Sequence, residues 1–255
     1  DGGTRYQLRK TDVLRELMSG NAFQQNHNFS ISGGSARSAY RVSFGTSVND
    51  GVLVSDKDSY KRKNIRAFLS TDIAEWLTTQ LDASYSNSLK AMGNTTGFTN
   101  FFAFATSLPS YFPPDTVTIN GVTLPSQAPK NLVNHVVPTK DRNDDIRLYG
   151  KAIAKPLKGL TLIGEYTYDR LNNVYTYYDK RMLYNNGSTF NPDQTATFST
   201  YQKYNAFTDY FATNVYGTYE KNLWTNHNVA VMAGFNQEKS YMESINSTKG
   251  EMIND

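Results

Sequence analysis

The chain has 255 residues, with 26 Lys+Arg against 23 Asp+Glu and a formal net charge of +3. That balance supplies no basic field for nucleic acid, and the absence of Cys removes disulfides, thiolate metal sites and Cys nucleophiles. With 18 Tyr, 14 Phe and 2 Trp at a mean hydropathy of -0.57, the composition fits a β-rich protein, including a membrane barrel whose half-polar strands dilute any hydropathy signal.

The N-terminal Asp1-Gly2-Gly3-Thr4-Arg5 lacks a charged region followed by an apolar stretch, so no signal peptide is read there. No run approaches the roughly 18 apolar residues of a transmembrane helix. The chain therefore reads either as cytosolic or as an internal piece of a longer protein, with both ends cut. The first predicted element is a helix over Thr11 to Met18, with Thr11 or Asp12 as N-cap and Gly20 as stop.

After Gly20 the pattern changes to period two. Tyr40, Val42, Phe44 and Val48 alternate with Ala39, Arg41, Ser43, Gly45 and Ser47. Leu77, Thr79, Leu81, Ala83 and Tyr85 alternate with Thr78, Gln80, Asp82, Ser84 and Ser86. Leu160, Leu162, Gly164, Tyr166 and Tyr168 share one face of a later stretch, and Val229, Val231, Ala233 and Phe235 repeat the theme. These are strands with one apolar and one polar face. The pattern predicts eight of them, near 27–33, 38–49, 60–71, 76–90, 145–155, 159–171, 206–221 and 227–243.

The connections between them take about 4, 10, 4, 54, 3, 34 and 5 residues, so short turns alternate with longer loops as in an outer-membrane barrel with short periplasmic turns and long extracellular loops. The long loops fall near 91–144 and 172–205. On that reading Trp76, Tyr219 and Trp224 lie at the inner membrane boundary, and Tyr85, Tyr166, Tyr168 and Phe211 toward the outer one. The plainer alternative is that aromatic residues simply favour strands.

A family resemblance rests on particular stretches. Asn26-His27-Asn28-Phe29-Ser30-Ile31-Ser32-Gly33-Gly34-Ser35, Tyr40-Arg41-Val42-Ser43-Phe44 through Asn49-Asp50-Gly51-Val52-Leu53, Tyr60 to Arg66, the Glu75-Trp76-Leu77 turn and Leu108 to Asp115 resemble the SusC/RagA family of TonB-dependent outer-membrane transporters. The match is specific over residues 11–92 and looser beyond, and Val13 stands where a Trp is more usual. The resemblance implies import of oligosaccharides or peptides across the bacterial outer membrane, energised by the TonB system through a plug. It also implies a SusD-like surface lipoprotein as partner. Residues 1–21 are then expected to connect plug to barrel and residues 22–255 to form part of the barrel. Eight strands fall short of the roughly 22 that close a plugged barrel, so neither plug nor remaining strands are expected in this chain.

Chemistry of other kinds finds little footing. His27, His135 and His227 lack metal-ligand spacing, and no nucleophile elbow, P-loop or dinucleotide fingerprint is present. No metal, cofactor or catalytic residue is expected, and the chain is read as a non-enzyme that does not bind nucleic acid. The polar strand faces place Arg41, Arg66, Asp82, Arg147, Glu165 and Asp169 toward the lumen and plug, alongside Ser43, Asn64, Ser84 and Lys151. In the long loops Phe101, Phe102 and Tyr111, and then Tyr175, Tyr177 and Tyr178, are the expected substrate contacts, since aromatic rings stack on sugar faces and Tyr adds a hydroxyl. These rings could equally pack the loops together or against the lipoprotein. Two other readings stay open: an all-β glycan-binding surface domain without transport, and a small closed outer-membrane barrel.

Overall fold

The computed structural model describes residues 12–54, 57–93, 116–119, 121–126, 129–181, 183–184, 193–194, 199–223 and 227–250. Eight strands form one antiparallel sheet in the order β1 (Gln24–Gly34), β2 (Ser38–Asp50), β3 (Ser59–Ala74), β4 (Leu77–Met92), β7 (Thr139–Leu157), β8 (Leu160–Asp179), β11 (Thr200–Leu223) and β12 (His227–Gly250). Two small hairpins stand apart from it, β5 (Thr116–Ile119) with β6 (Val122–Pro125), and β9 (Leu183–Tyr184) with β10 (Asp193–Gln194). Among the described pairings β1 meets β2 alone and β12 meets β11 alone, so the sheet does not close on itself. That excludes the small closed barrel.

The expected strands are all present, and most extend further than predicted. Strand length rises from 11 residues in β1 to 24 in β12. The turns correspondingly shrink to 35–37, 75–76 and 158–159, all at one end of the sheet, while 51–58, 93–138 and 180–199 connect strands at the other. The expected loop near 172–205 is corrected most: Tyr175, Tyr177 and Tyr178 lie on β8, and Tyr201 and Tyr204 on β11. Phe101, Phe102 and Tyr111 lie outside the described residues, as does Trp224.

Helix α1 (Val13–Leu17) opens under Asp12, whose Oδ1 accepts the Arg15 N–H at 3.1 Å, as an N-cap does. It ends at Leu17, and Met18 beyond it forms a bridge with Leu53. Helix α2 (Pro129–His135) packs against it, and Leu17, Leu53 and Val133 are buried there. The 51–58 loop is tied by Asp58, whose carboxylate accepts the Val52 and Leu53 N–H groups at 2.9 Å each. The His135 ring lies 3.2 Å from the Lys180 carbonyl, and Ser199 Oγ accepts the Arg181 N–H at 3.3 Å. Four segments thus meet at the long-connection end, and β1 starts from that end.

Gly159 closes the turn between β7 and β8 with φ +86°. A Cβ there would collide with the backbone carbonyl of Glu220, whose own N–H donates to Gly159 O at 2.8 Å. Gly159→Ala is expected to destabilise the intact barrel by about 1–3 kcal/mol through left-handed strain and that collision. Gly164→Ala, where a Cβ meets no atom within 4 Å, should stay within about 0.5 kcal/mol. Urea unfolding of the two variants in lipid vesicles checks the contrast.

Candidate functional site

Alternation along each strand and the ladder register sort the side chains onto two faces. One face carries Phe29, Ile31, Tyr40, Val42, Phe44, Ile65, Leu69, Leu81, Leu148, Leu162, Val215 and Phe235, all exposed, with Leu81 at 57% and Phe235 at 61%. A sandwich would bury these residues between sheets. Here they form a band across all eight strands, far beyond the few hundred Å² that a soluble surface usually exposes.

The outer limit of the band is slanted. Phe29 aligns through the ladder with Phe44, Ile65, Tyr85, Ile146, Arg170, Asp209 and Tyr241, whereas the band on β12 begins at Phe235. The limit therefore descends about six residues, roughly 20 Å, over seven strand spacings of roughly 4.8 Å, a slope of about 30°. That is close to the roughly 35–45° strand tilt of transmembrane barrels. Tyrosines mark the limit: Tyr85 donates its hydroxyl to Asp144 at 2.7 Å, and Tyr168 donates to Asp209 at 3.0 Å while packing on Phe211 with ring centroids 5.1 Å apart. Each ring keeps its apolar body in the band and its polar tip outside it. At the opposite end Trp76 and Tyr219 are exposed.

The other face is polar and extensively paired. Arg41, Arg66, Asp82, Arg147, Glu165 and Asp169 all lie on it, along with Ser43, Asn64, Ser84 and Lys151. Arg66 grips Asp82, with Nη2 at 2.7 Å and Nε at 2.9 and 3.0 Å from its oxygens. Arg147 holds Asp169 through two bonds of 2.7 Å. Glu165 accepts from Lys151 at 2.9 Å, Tyr149 at 3.1 Å and Asn214 at 3.5 Å. Arg41 is different: it faces Phe68 across the β2–β3 ladder and has no ion pair among the described residues.

Two open depressions follow this polar face. The larger, ≈ 800 Å³, is lined by Asn28, Ser30, Arg41, Asn64, Arg66 and Asp82 among others. The second, ≈ 490 Å³, shares Arg66 and Asp82 and continues to Arg147, Asp169 and Tyr210. Gly45 lets two of these lining residues lie close over its backbone, since a Cβ there would press on the side-chain oxygens of Asn64 and Asn28 at 2.6 and 2.8 Å. Sequence reasoning passed over Asn28, Tyr149 and Asn214 because only the register reveals their neighbours. Tyr175 lies on the polar face between Asp141 and Tyr204, and Tyr177 pairs with Gln202 on the same face. Tyr178 is on the opposite face beside Tyr201, so the three tyrosines do not form one cluster. Among the described residues no group of His, Asp and Glu is arranged to hold a metal.

An open antiparallel sheet with one continuous lipid-compatible face, a polar reverse and short turns at one end is a section of a transmembrane β-barrel. Solved structures give a particular counterpart. The RagAB peptide transporter matches 100% of this chain with TM-score 0.76 and 18% identity, over 29% of the matched chain. The RagAB peptide importer matches in its closed-closed state with TM-score 0.75 and 19% identity, over 100% of this chain and 29% of that one. In its open-open state the TM-score is 0.74 at 19% identity, over 98% and 28%. No family model matches the sequence, and no curated protein matches it. The likeness shows a shared fold, and this chain spans under a third of the matched chains' length. The sequence resemblance to the SusC/RagA family and the structural likeness point to the same kind of barrel.

The ion pairs differ in exposure: the Arg147 side chain is 60% exposed, whereas Lys151 and Glu165 are at 21% and 18%. Double-mutant cycles in the intact barrel are expected to give a coupling of at most about 1 kcal/mol for Arg147 and Asp169. The Lys151–Glu165 coupling should be larger, since less water screens it.

Proposed function

We propose that the chain is a section of the barrel wall of a TonB-dependent outer-membrane importer of peptides or oligosaccharides. The observation that carries this reading is the exposed apolar band crossing eight consecutive strands, with every described short turn at one end. A glycan-binding domain without transport would leave that band without a lipid or protein cover. Short turns face the periplasm and long connections the exterior. Residues 1–21 are read as the link between plug and barrel, and their described part, 12–21, leads into β1 at the outer ends of the strands. Residues 22–255 form the wall.

The polar face lines the lumen, where Arg41, Arg66, Asp82, Arg147, Glu165 and Asp169 meet a plug. Because most of these charges pair within the wall, a plug resting against them competes for few ion pairs, and a wet interface of this kind loosens at low cost. Of these six, Arg41 is the cation without an ion pair among the described residues, and it can bind a plug carboxylate. Above the membrane Tyr175 and Tyr177, with Phe101, Phe102 and Tyr111, supply rings to the incoming substrate, whereas Tyr178 faces outward. A SusD-like lipoprotein covers the mouth, and TonB acts through the plug. The RagAB likeness favours peptide over oligosaccharide.

Leu81→Arg is expected to cost folding into lipid about 2–4 kcal/mol, while Ser70→Arg on the polar face, opposite the neutral Ala39 and Gln80, is tolerated. Equal effects of the two would count against a lipid-facing band. Purifying the intact protein in mild detergent and identifying its companions by mass spectrometry tests the transport reading. Recovery of a SusD-like lipoprotein and bound peptide is expected, and recovery of neither would oppose it.

A further inference from the structure

Resting on the outer-membrane orientation above, we infer that the lipid-facing side of β3, β4 and β7 carries a binding surface for the phosphate groups of the outer-leaflet glycolipid. Just beyond the apolar band, on the same face, stand Lys61 and Lys63 on β3 and Lys140 and Arg142 on β7. The ladder sets Lys61, Leu89 and Arg142 in one row across the three strands, with Ala91 and Lys140 in the next row outward. The two flanking strands lie two spacings apart, about 10 Å, with β4 as a neutral floor between them. Long basic side chains reaching over such a floor converge on one anionic group.

Three of the four cations are available. Arg142 is engaged by Asp144, with Nε 3.0 Å from Oδ2. Asp144 in turn is held by Tyr85 and by Asn87 at 2.6 Å. Lys61, Lys63 and Lys140 are exposed, and among the described residues none has an ion pair.

Below them the row of Lys63, Asn87 and Asp144 leads to Ile65, Tyr85 and Ile146, and then to Ala67, Ala83 and Leu148. Cations above an apolar strip match, group for group, a lipid that carries phosphate above acyl chains. At their short-turn ends the same strands present Thr71, Leu77, Thr79, Ala152 and Ala154 on this face, so the cluster belongs to one leaflet only. Its position on the band side, not the lumen side, makes lipid headgroups its neighbours and sets it apart from substrate or plug.

The test uses the intact transporter in mild detergent, incubated with bisphosphorylated lipid A or its dephosphorylated form and read by native mass spectrometry. The wild type is expected to retain the phosphorylated form, and Lys61→Gln, Lys63→Gln and Lys140→Gln combined to lower retention tenfold or more. Lys90→Gln, at similar height on the opposite face, should leave retention unchanged. Equal retention of both lipids by the wild type would overturn the inference without any variant. So would undiminished retention by the triple variant, or an equal loss with Lys90→Gln. A protein that needs no detergent and fractionates away from the outer membrane would instead overturn the orientation on which the inference rests.

Discussion

Within a bilayer every backbone N–H and C=O must find a partner in the protein, because hydrocarbon offers none. The rest of this structure follows from that demand. It requires strands paired on both sides, which fixes an antiparallel ladder across the whole width, and it allows side chains alone to distinguish lipid from lumen. Among the described residues the six inner strands meet the requirement within the chain, while β1 and β12 each present one unpaired edge. Edges of that kind in lipid require further strands, in keeping with a match to less than a third of a larger barrel chain.

The same demand explains why this protein has so small a core. A barrel wall is one layer thick, so its stability comes from ladder hydrogen bonds and from lipid packed against the outside, not from a buried interior. Among the described hydrophobic residues only Leu17, Leu53, Val133, Ala206 and Ala212 are buried, the first three where loops gather at the outer end. The polar reverse is stabilised differently, by charge-assisted bonds running across neighbouring strands. Arg66 to Asp82 and Arg147 to Asp169 are both diagonal or direct cross-strand pairs, which orient one another in a way a mobile loop would not.

Strand count, order and facing were legible from alternation, because lipid on one side and water on the other impose a strict period of two. Alternation faded where the strands rise above the membrane, since water bathes both faces there. Tyr175, Tyr177 and Tyr178 therefore read as loop although they continue β8, and Thr139 to Asp144 read as loop although they open β7. The polar-face residues were individually visible, but their partners were not. The glutamate at 165 meets Lys151 and Asn214 only once the registers of three strands are set. The helix at 13–17 was visible from its cap, whereas its packing against α2 depends on loops that carry no periodic signal.

The steady lengthening of the strands gives the wall an uneven height. Beyond the apolar band β1 has only Gln24 to Asn28 to spare, about 16 Å of strand, whereas β12 continues from Asn236 to Gly250, nearly 50 Å by the usual rise of about 3.3 Å per residue. The mouth is therefore bevelled. On the transport reading proposed above, a body seated on it would meet a parapet on one flank and a low sill on the other, and a solute approaching from the low side would pass along the inner face of the tall one before reaching the membrane plane.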